Sequence, residues 1–338
     1  VPLTDLPLES LLDYAPVLPE PADLDDFWAS TLAEAGAVAL DVRVTPVDNH
    51  LVTVDTFDYA FTGYGGTRIH GWLHLPADRT SGPRPAIVDY PGYGGGRGLA
   101  HQNTLFAQAG YAQLVLDIRG QGTSYAVGST VDDDPSVSTV AFPGFMTRGI
   151  LDPRDYYYRR AFTDAVRAID AIGTHPDVDA SKIVAAGGSQ GGGIAMAVSG
   201  LSPRVSGLLT DVPFLCHFER STLVAGEGPY LEIAGYLKSH RDEVDRVRKT
   251  LSYFDAAILA RRATAPAMMS IALMDRASPP SSCFAAYNAY RGAKELRIYE
   301  FNGHEGGGEF QQLENLKWLE RRFAQRSDTS VSSAPQHA

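Results

Sequence analysis

One stretch limits the choice of fold more than any other. Residues 182–193 pass from a polar lead-in through the apolar Ile183, Val184, Ala185 and Ala186 into Gly187-Gly188-Ser189-Gln190-Gly191. A second apolar run, Ile194 to Val198, follows. The first run reads as a buried strand and the second as a helix, with a tight turn between them. The turn fits the Gly-x-Ser-x-Gly nucleophile elbow, in which a serine is lifted clear of the sheet on a strained backbone with small neighbours. Such a turn aims the following backbone N–H, that of Gln190, at a developing oxyanion. The positive end of the helix lies close by.

The surrounding chain agrees with that placement. Residues 1–22 are rich in proline and leucine and are expected to lie extended over the surface. Asp23 is positioned to cap a helix through about Ala35, with Leu24, Phe27, Trp28 and Leu32 on one side and Gly36 ending it. Residues 41–75 alternate apolar and polar, with a glycine turn at 63–67, and read as antiparallel strands. From residue 84 the pattern becomes strand (85–90), helix (101–109), strand (112–118), helix (156–172), then the elbow strand and its helix. Strand 205–211, a helical insertion at 215–253, strand 267–274, helix 281–290, strand 295–300 and helix 309–323 complete it. Such alternation gives a mostly parallel sheet with right-handed crossovers. Antiparallel strands leading into a parallel sheet, with helices on both faces, is the α/β-hydrolase plan. One domain is expected over residues 1–325, made of an N-terminal extension and helix at 1–40, the hydrolase core and the insertion. Residues 326–338 are polar and expected to be disordered.

Composition excludes several classes. The 338 residues carry a formal charge of −11 and no basic run to grip phosphates, which argues against nucleic-acid binding. No apolar run is long enough to span a membrane. Cys216 and Cys283 give neither a disulfide framework nor a zinc spacing, and Cys216 reads as a small core residue. His70 and His74 share one face of a strand and read as polar strand positions rather than metal ligands. The first residues show no signal-peptide pattern, so a reducing cytoplasm is the default expectation.

A serine nucleophile needs a base, and the base needs an acid to orient it. In this fold they follow in the order Ser, Asp or Glu, His, each beyond a later strand. His304 lies after the last strand in a glycine-rich loop and is the candidate base. Asp275, at the end of strand 267–274, is the favoured acid. Asp211, at the end of the preceding strand, is its rival. The second oxyanion donor is expected from the loop 91–98, rich in glycine, with the Tyr93 N–H as candidate. That loop has neither a Walker lysine nor dinucleotide fingerprint spacing, so phosphate cradling does not fit it.

These residues resemble the acetyl xylan esterase / cephalosporin C deacetylase family of carbohydrate esterases. The resemblance rests on Arg119-Gly120-Gln121, on Gly187-Gly188-Ser189-Gln190-Gly191 and on His304-Glu305, with longer blocks at 143–154, 156–160 and 211–218. It covers nearly the whole chain, to about residue 325. It implies a triad of Ser189, Asp275 and His304, oxyanion donors on Tyr93 and Gln190, and Arg119 and Gln121 as structural supports. From the sequence alone, Arg119 could equally be a surface charge. The resemblance also puts Tyr93, Phe214, Pro229 and Ala277 against the substrate. It implies small acetyl esters as substrates, no metal or organic cofactor, and a homo-hexamer with inward-facing sites. One departure stands out: Asp275-Arg276-Ala277-Ser278 replaces the larger apolar residue and cysteine that many members carry there, which puts acyl-chain preference in doubt. Two rivals stand beside the esterase. A serine peptidase on this fold usually brings a large N-terminal domain, and none is visible. A catalytically dead, binding hydrolase usually lacks a triad member, and all three are present.

Overall fold

This computed structural model describes residues 5–80, 82–132, 141 and 143–323. The expected disordered tail lies outside them. Among the described residues nine strands form one sheet: β1 (Arg43–Val47), β2 (Val54–Thr62), β3 (Arg68–Pro76), β4 (Arg84–Tyr90), β5 (Ala112–Leu116), β6 (Val178–Gly188), β7 (Val205–Asp211), β8 (Ala267–Ala272) and β9 (Lys294–Tyr299). Their spatial order is β1-β2-β3-β5-β4-β6-β7-β8-β9. β1, β2, β3 and β5 pair antiparallel, and every pair from β5–β4 to β8–β9 is parallel. β2 and β3 turn through Gly65 and Gly66, at φ 68° and 90°, a conformation that favours glycine. Pro46 sits in edge strand β1, where a missing donor costs little.

The period-two pattern of the inner strands sorts their side chains onto two helical layers. Ala86, Val88, Ile183, Ala185 and Leu208 join one large core with α4 (Tyr157–Ile172) and α5 (Gln190–Leu201). The alternate residues Ile87, Val184, Ala186, Leu209 and Met268 pack on the other face against Trp318 and Leu319 of the C-terminal helix, Gly308–Phe323. With both faces covered, the strands read as apolar runs, as parallel sheets do.

Several local expectations need correction. The N-terminal segment is not simply extended: α1 (Leu8–Leu12) forms behind Pro7 and buries Leu11. Asp23 precedes α2 (Leu24–Gly36) without capping it, because its carboxylate accepts the Tyr253 hydroxyl at 2.6 Å. The helix expected over 101–109 shrinks to α3 (Leu105–Gln108), since Asn103 takes a left-handed φ of 53° and breaks the winding before it. β8 stops at Ala272, so Asp275 stands in a turn beyond the strand. The insertion is helical as expected, with α6 (Phe218–Val224), α7 (Tyr230–Ser239) and α8 (Val244–Ser252). The short α9 (Ala256–Leu259) follows. α10 (Pro280–Ala289) links β8 to β9, and the C-terminal helix is α11.

His70 and His74 do face one way, but only His70 is partly exposed. His74 is fully buried, its Nδ1 2.8 Å from Thr56 Oγ1, and burial pushes its pKa down to about 4. Cys216 is a buried free thiol. Among the described residues no helix is long and apolar enough to cross a membrane.

Candidate active site

The parallel strands deliver the candidate residues to one end of the sheet. Ser189 follows β6 at φ 56°, ψ −122°, a conformation costly for a residue with a side chain. Its surroundings hold it there. Its N–H donates to Asp211 O at 2.9 Å, and its carbonyl accepts from Gly193 and Phe214 at 3.0 and 2.9 Å. Glycine is required alongside: a Cβ on Gly191 would fall 1.8 Å from Tyr90 O. The elbow therefore packs directly on the end of β4.

His304 reaches the serine from the loop after β9. Its Nε2 stands 2.8 Å from Ser189 Oγ, and its Nδ1 stands 2.9 and 3.1 Å from the two Asp275 carboxylate oxygens. An ionised carboxylate only accepts, so Nδ1 carries the proton and Nε2 is left to accept from the serine. Asp275 is 1% exposed. Its Oδ1 also accepts the Ala277 and Ser278 N–H groups at 2.8 and 2.9 Å, which holds the carboxylate in one orientation. Burial by itself would lower the His304 pKa. The hydrogen bond and charge of Asp275, with the charges of Glu227 and Glu305, outweigh it and leave the imidazole raised above its ordinary value. Glu305 accepts from Asn302 Nδ2 and Gly303 N, and so shapes the loop that carries His304.

The rival acid, Asp211, makes no hydrogen bond to His304. Its Oδ2 accepts from Asn315 at 3.0 Å, and burial raises its pKa to about 6.

Loop 91–98 meets the elbow through paired amides. Gln121 Oε1 accepts the Gly94 N–H at 2.7 Å, while Gln121 Nε2 donates to Gln190 Oε1 at 2.9 Å and to the Tyr157 hydroxyl at 3.0 Å. Gln190 Oε1 also accepts from the Tyr158 hydroxyl at 2.8 Å. Gln121 thus ties the loop bearing Tyr93 to the first residue of α5. As that first residue, Gln190 has a backbone N–H with no intrahelical acceptor. Arg119 is no surface charge. It is 1% exposed, grips Asp164 with two nitrogens at 2.5 and 2.8 Å, and donates to Tyr64 O.

A cavity of about 770 Å³ opens over Ser189 and His304, with Tyr93, Pro229 and Ala277 in its wall. Phe214 is not among the lining residues: it is buried behind Tyr93, its ring 4.0 Å from that of Tyr230. Sequence reasoning missed Glu232 of α7, which also lines the cavity. It accepts the Tyr93 hydroxyl at 2.7 Å and the Met146 N–H at 3.1 Å, while the same hydroxyl accepts from Gly144 and Phe145. Nothing in the helical spacing of 230–239 marks that residue, because its partners lie 86 and 139 positions away. Among the described residues no group of three or more His, Cys, Asp or Glu side chains could hold a metal.

A serine, a histidine and a buried aspartate linked in that order beyond successive parallel strands define an α/β-hydrolase site. Comparisons with known proteins narrow the class. The acetyl xylan esterase (AXE1) family profile matches residues 1–322. The solved acetyl xylan esterase from Paenibacillus sp. R4 is 39% identical, with a TM-score of 0.85 over 94% of this chain and 99% of that one. Acetyl xylan esterase 1 from Thermoanaerobacterium sp. JW/SL YS485 is 30% identical, with a TM-score of 0.84 over the same shares. Acetyl esterase Axe7A of Xylanibacter ruminicola is 27% identical over 326 residues, covering 91% of this chain and 68% of that protein. The chain belongs to the acetyl xylan esterase family, which places it among the carboxylic ester hydrolases.

Proposed function

We propose that the chain is a serine esterase that removes acetyl groups from small carbohydrate esters, acetylated xylo-oligosaccharides above all, through an acetyl-enzyme. The observation that carries this is the hydrogen-bonded series Ser189–His304–Asp275 at the mouth of an open cavity. His304 Nε2 takes the Ser189 proton as Oγ attacks the ester carbonyl. The oxyanion is held by the Tyr93 N–H of loop 91–98 and the Gln190 N–H at the start of α5. The imidazolium, steadied by Asp275, returns the proton to the leaving alcohol. Water, activated by His304, then releases acetate and frees the serine. Tyr93, Pro229 and Ala277 are the groups we assign to the acyl portion, with Phe214 backing Tyr93.

Cephalosporin C-type acetates form a second proposed class, since the cavity has room for a bicyclic alcohol portion. We also propose a homo-hexamer acting in the cytoplasm. Val52, 92% exposed in the connection between β1 and β2 at the edge of the sheet, supports a subunit contact. Two buried free thiols suit a reducing compartment. Rapid-mixing kinetics with p-nitrophenyl acetate test the reaction. A p-nitrophenolate burst equal to the enzyme concentration, absent in Ser189→Ala, is expected; wild-type activity in a folded Ser189→Ala protein refutes it. Light scattering after gel filtration tests the assembly.

A further inference from the structure

The cavity over Ser189 has two chemically different walls. Tyr93, Pro229 and Ala277 stand on the side of the insertion. On the other side stand Asp89, Asn103, Asp211 and Gln312, and these four also line a recess of about 170 Å³ that opens from the main cavity. Strand alternation accounts for the division. Asp89 lies two residues beyond Ile87, Gly188 two beyond Ala186 and Asp211 two beyond Leu209, so all three share the face covered by α11. Where the apolar packing of that face ends, the polar recess begins. Its floor is low, because Ala186 and Gly188 carry little or no side chain. A Cβ on Gly188 would meet no atom nearer than 3.8 Å.

The lining is set up to exchange hydrogen bonds with hydroxyls. Asn103 and Gln312 each bring an amide that both donates and accepts. Asp211 Oδ1 is buried and accepts no hydrogen bond within the protein. Gln113 Nε2 reaches Asp89 Oδ2 only at 3.4 Å. Burial raises Asp89 to about 7 and Asp211 to about 6, so near neutrality the pair offers both protonated and ionised carboxyl groups. A ring stands at the same cavity: Tyr125 is 66% exposed, and its phenol sits over Gly92 and Gly95, where a Cβ on Gly95 would come within 2.4 Å of it. Partly protonated carboxyls, amides and an exposed aromatic ring match a neutral polyol with an apolar C–H face. They match a bare cation less well.

We propose that this wall is the alcohol subsite and that it takes a sugar ring, its hydroxyls meeting Asp89, Asn103 and Gln312 and its C–H face meeting Tyr125. The proposal rests on the reading that Ser189 attacks acetyl esters.

The test uses the full-length protein, with the acyl group held at acetyl and the alcohol varied. Monoacetylated methyl β-xyloside and p-nitrophenyl acetate are compared in wild type, Asp89→Asn, Asn103→Gly and Gln312→Ala. Asn103→Gly removes the amide at a φ of 53°, which glycine adopts freely, so its fold is preserved even where Asp89→Asn is not. Loss of one hydrogen bond to a charged or buried group is expected to lower the ratio of kcat/KM values, sugar ester over aryl ester, by about tenfold. Methyl β-xyloside should compete with p-nitrophenyl acetate, with a Ki raised to a similar degree in the same variants. An unchanged ratio in both Asp89→Asn and Asn103→Gly, or no competition in the wild type, overturns the subsite. Failure of the underlying reading looks different: no acetyl-enzyme burst with either ester.

Discussion

Asp275→Asn is the most demanding test of the site, because the surroundings of Asp275 dictate how the new amide must sit. Asp275 Oδ1 accepts two backbone N–H groups, from Ala277 and Ser278, at 2.8 and 2.9 Å. An asparagine keeps one acceptor oxygen, and that oxygen must stay with those two donors. Turning the NH₂ toward them would leave two buried N–H groups unpaired and facing further donors, at about 1–3 kcal/mol each. The NH₂ therefore faces His304 Nδ1, which must then accept. The ring proton moves to Nε2 and points at Ser189 Oγ, so the base is lost while the packing is kept. By analogy with the same exchange in serine proteases, turnover of p-nitrophenyl acetate should fall on the order of 10⁴-fold, which corresponds to roughly 5.5 kcal/mol of barrier. Asp211→Asn, with no hydrogen bond to His304, should cost far less. Steady-state kinetics on both variants, with circular dichroism to check folding, decide the matter. A loss below tenfold in folded Asp275→Asn, or a larger loss in Asp211→Asn, would refute the reasoning.

Other expected outcomes follow from the same geometry. His304 must be neutral to accept the serine proton, and Asp275 and its acidic neighbours raise its pKa. The acid limb of kcat/KM should therefore lie above the ordinary histidine value, with activity increasing as pH rises through it; a limb well below pH 6 would count against the assignment. Glu232→Ala should lower kcat about tenfold with KM little changed, because one charge-assisted hydrogen bond to the Tyr93 hydroxyl is lost. Tyr93→Phe should show the same pattern, and a change in KM alone in both would dismiss the coupling. Ala277 lines the cavity beside Gly228, where an added Cβ would fall 3.1 Å from the Ala277 Cβ. The wild type should tolerate propionyl and butyryl esters, and Ala277→Ile should narrow the profile toward acetate by roughly 1–3 kcal/mol per methylene. Identical chain-length profiles would remove Ala277 from the pocket.

The parts of the molecule legible in the sequence are those governed by local rules. A glycine-flanked serine between two apolar runs has one common structural reading, and strand–helix alternation orders the sheet around it. The order of elements favours Asp275 over Asp211, and in the structure Asp275 hydrogen-bonds His304 while Asp211 pairs with Asn315. What stayed hidden depends on side chains that meet across long separations. Asp23 looks like a helix cap until a tyrosine 230 positions away claims its carboxylate. Phe214 lies in a block shared with the family, yet its ring packs behind Tyr93 instead of lining the cavity. Arg119 is indistinguishable from a surface charge until Asp164 is seen 45 positions on, facing it from α4.

The same long-range contacts explain why the insertion bears on the chemistry at all. Elements 85–98 and 183–201 would form an elbow and a glycine loop without it, and their own contacts, β4 on β6 and Gln190 Nε2 on Pro91 O, reach only the start of that loop. Two further ties hold the rest of it. Gln121 holds Gly94 to Gln190 from below, and Glu232 holds the Tyr93 phenol from above, together with the Phe145 N–H at 2.7 Å. Breaking either tie leaves Ser189, His304 and Asp275 untouched, so the nucleophile should still form an acyl-enzyme. What should weaken is stabilisation of the tetrahedral oxyanion, which acts in both acylation and deacylation. Glu232→Ala should therefore slow the burst and the steady state by similar factors. A variant that slows only one of the two steps would place Glu232 on the substrate rather than on the oxyanion loop.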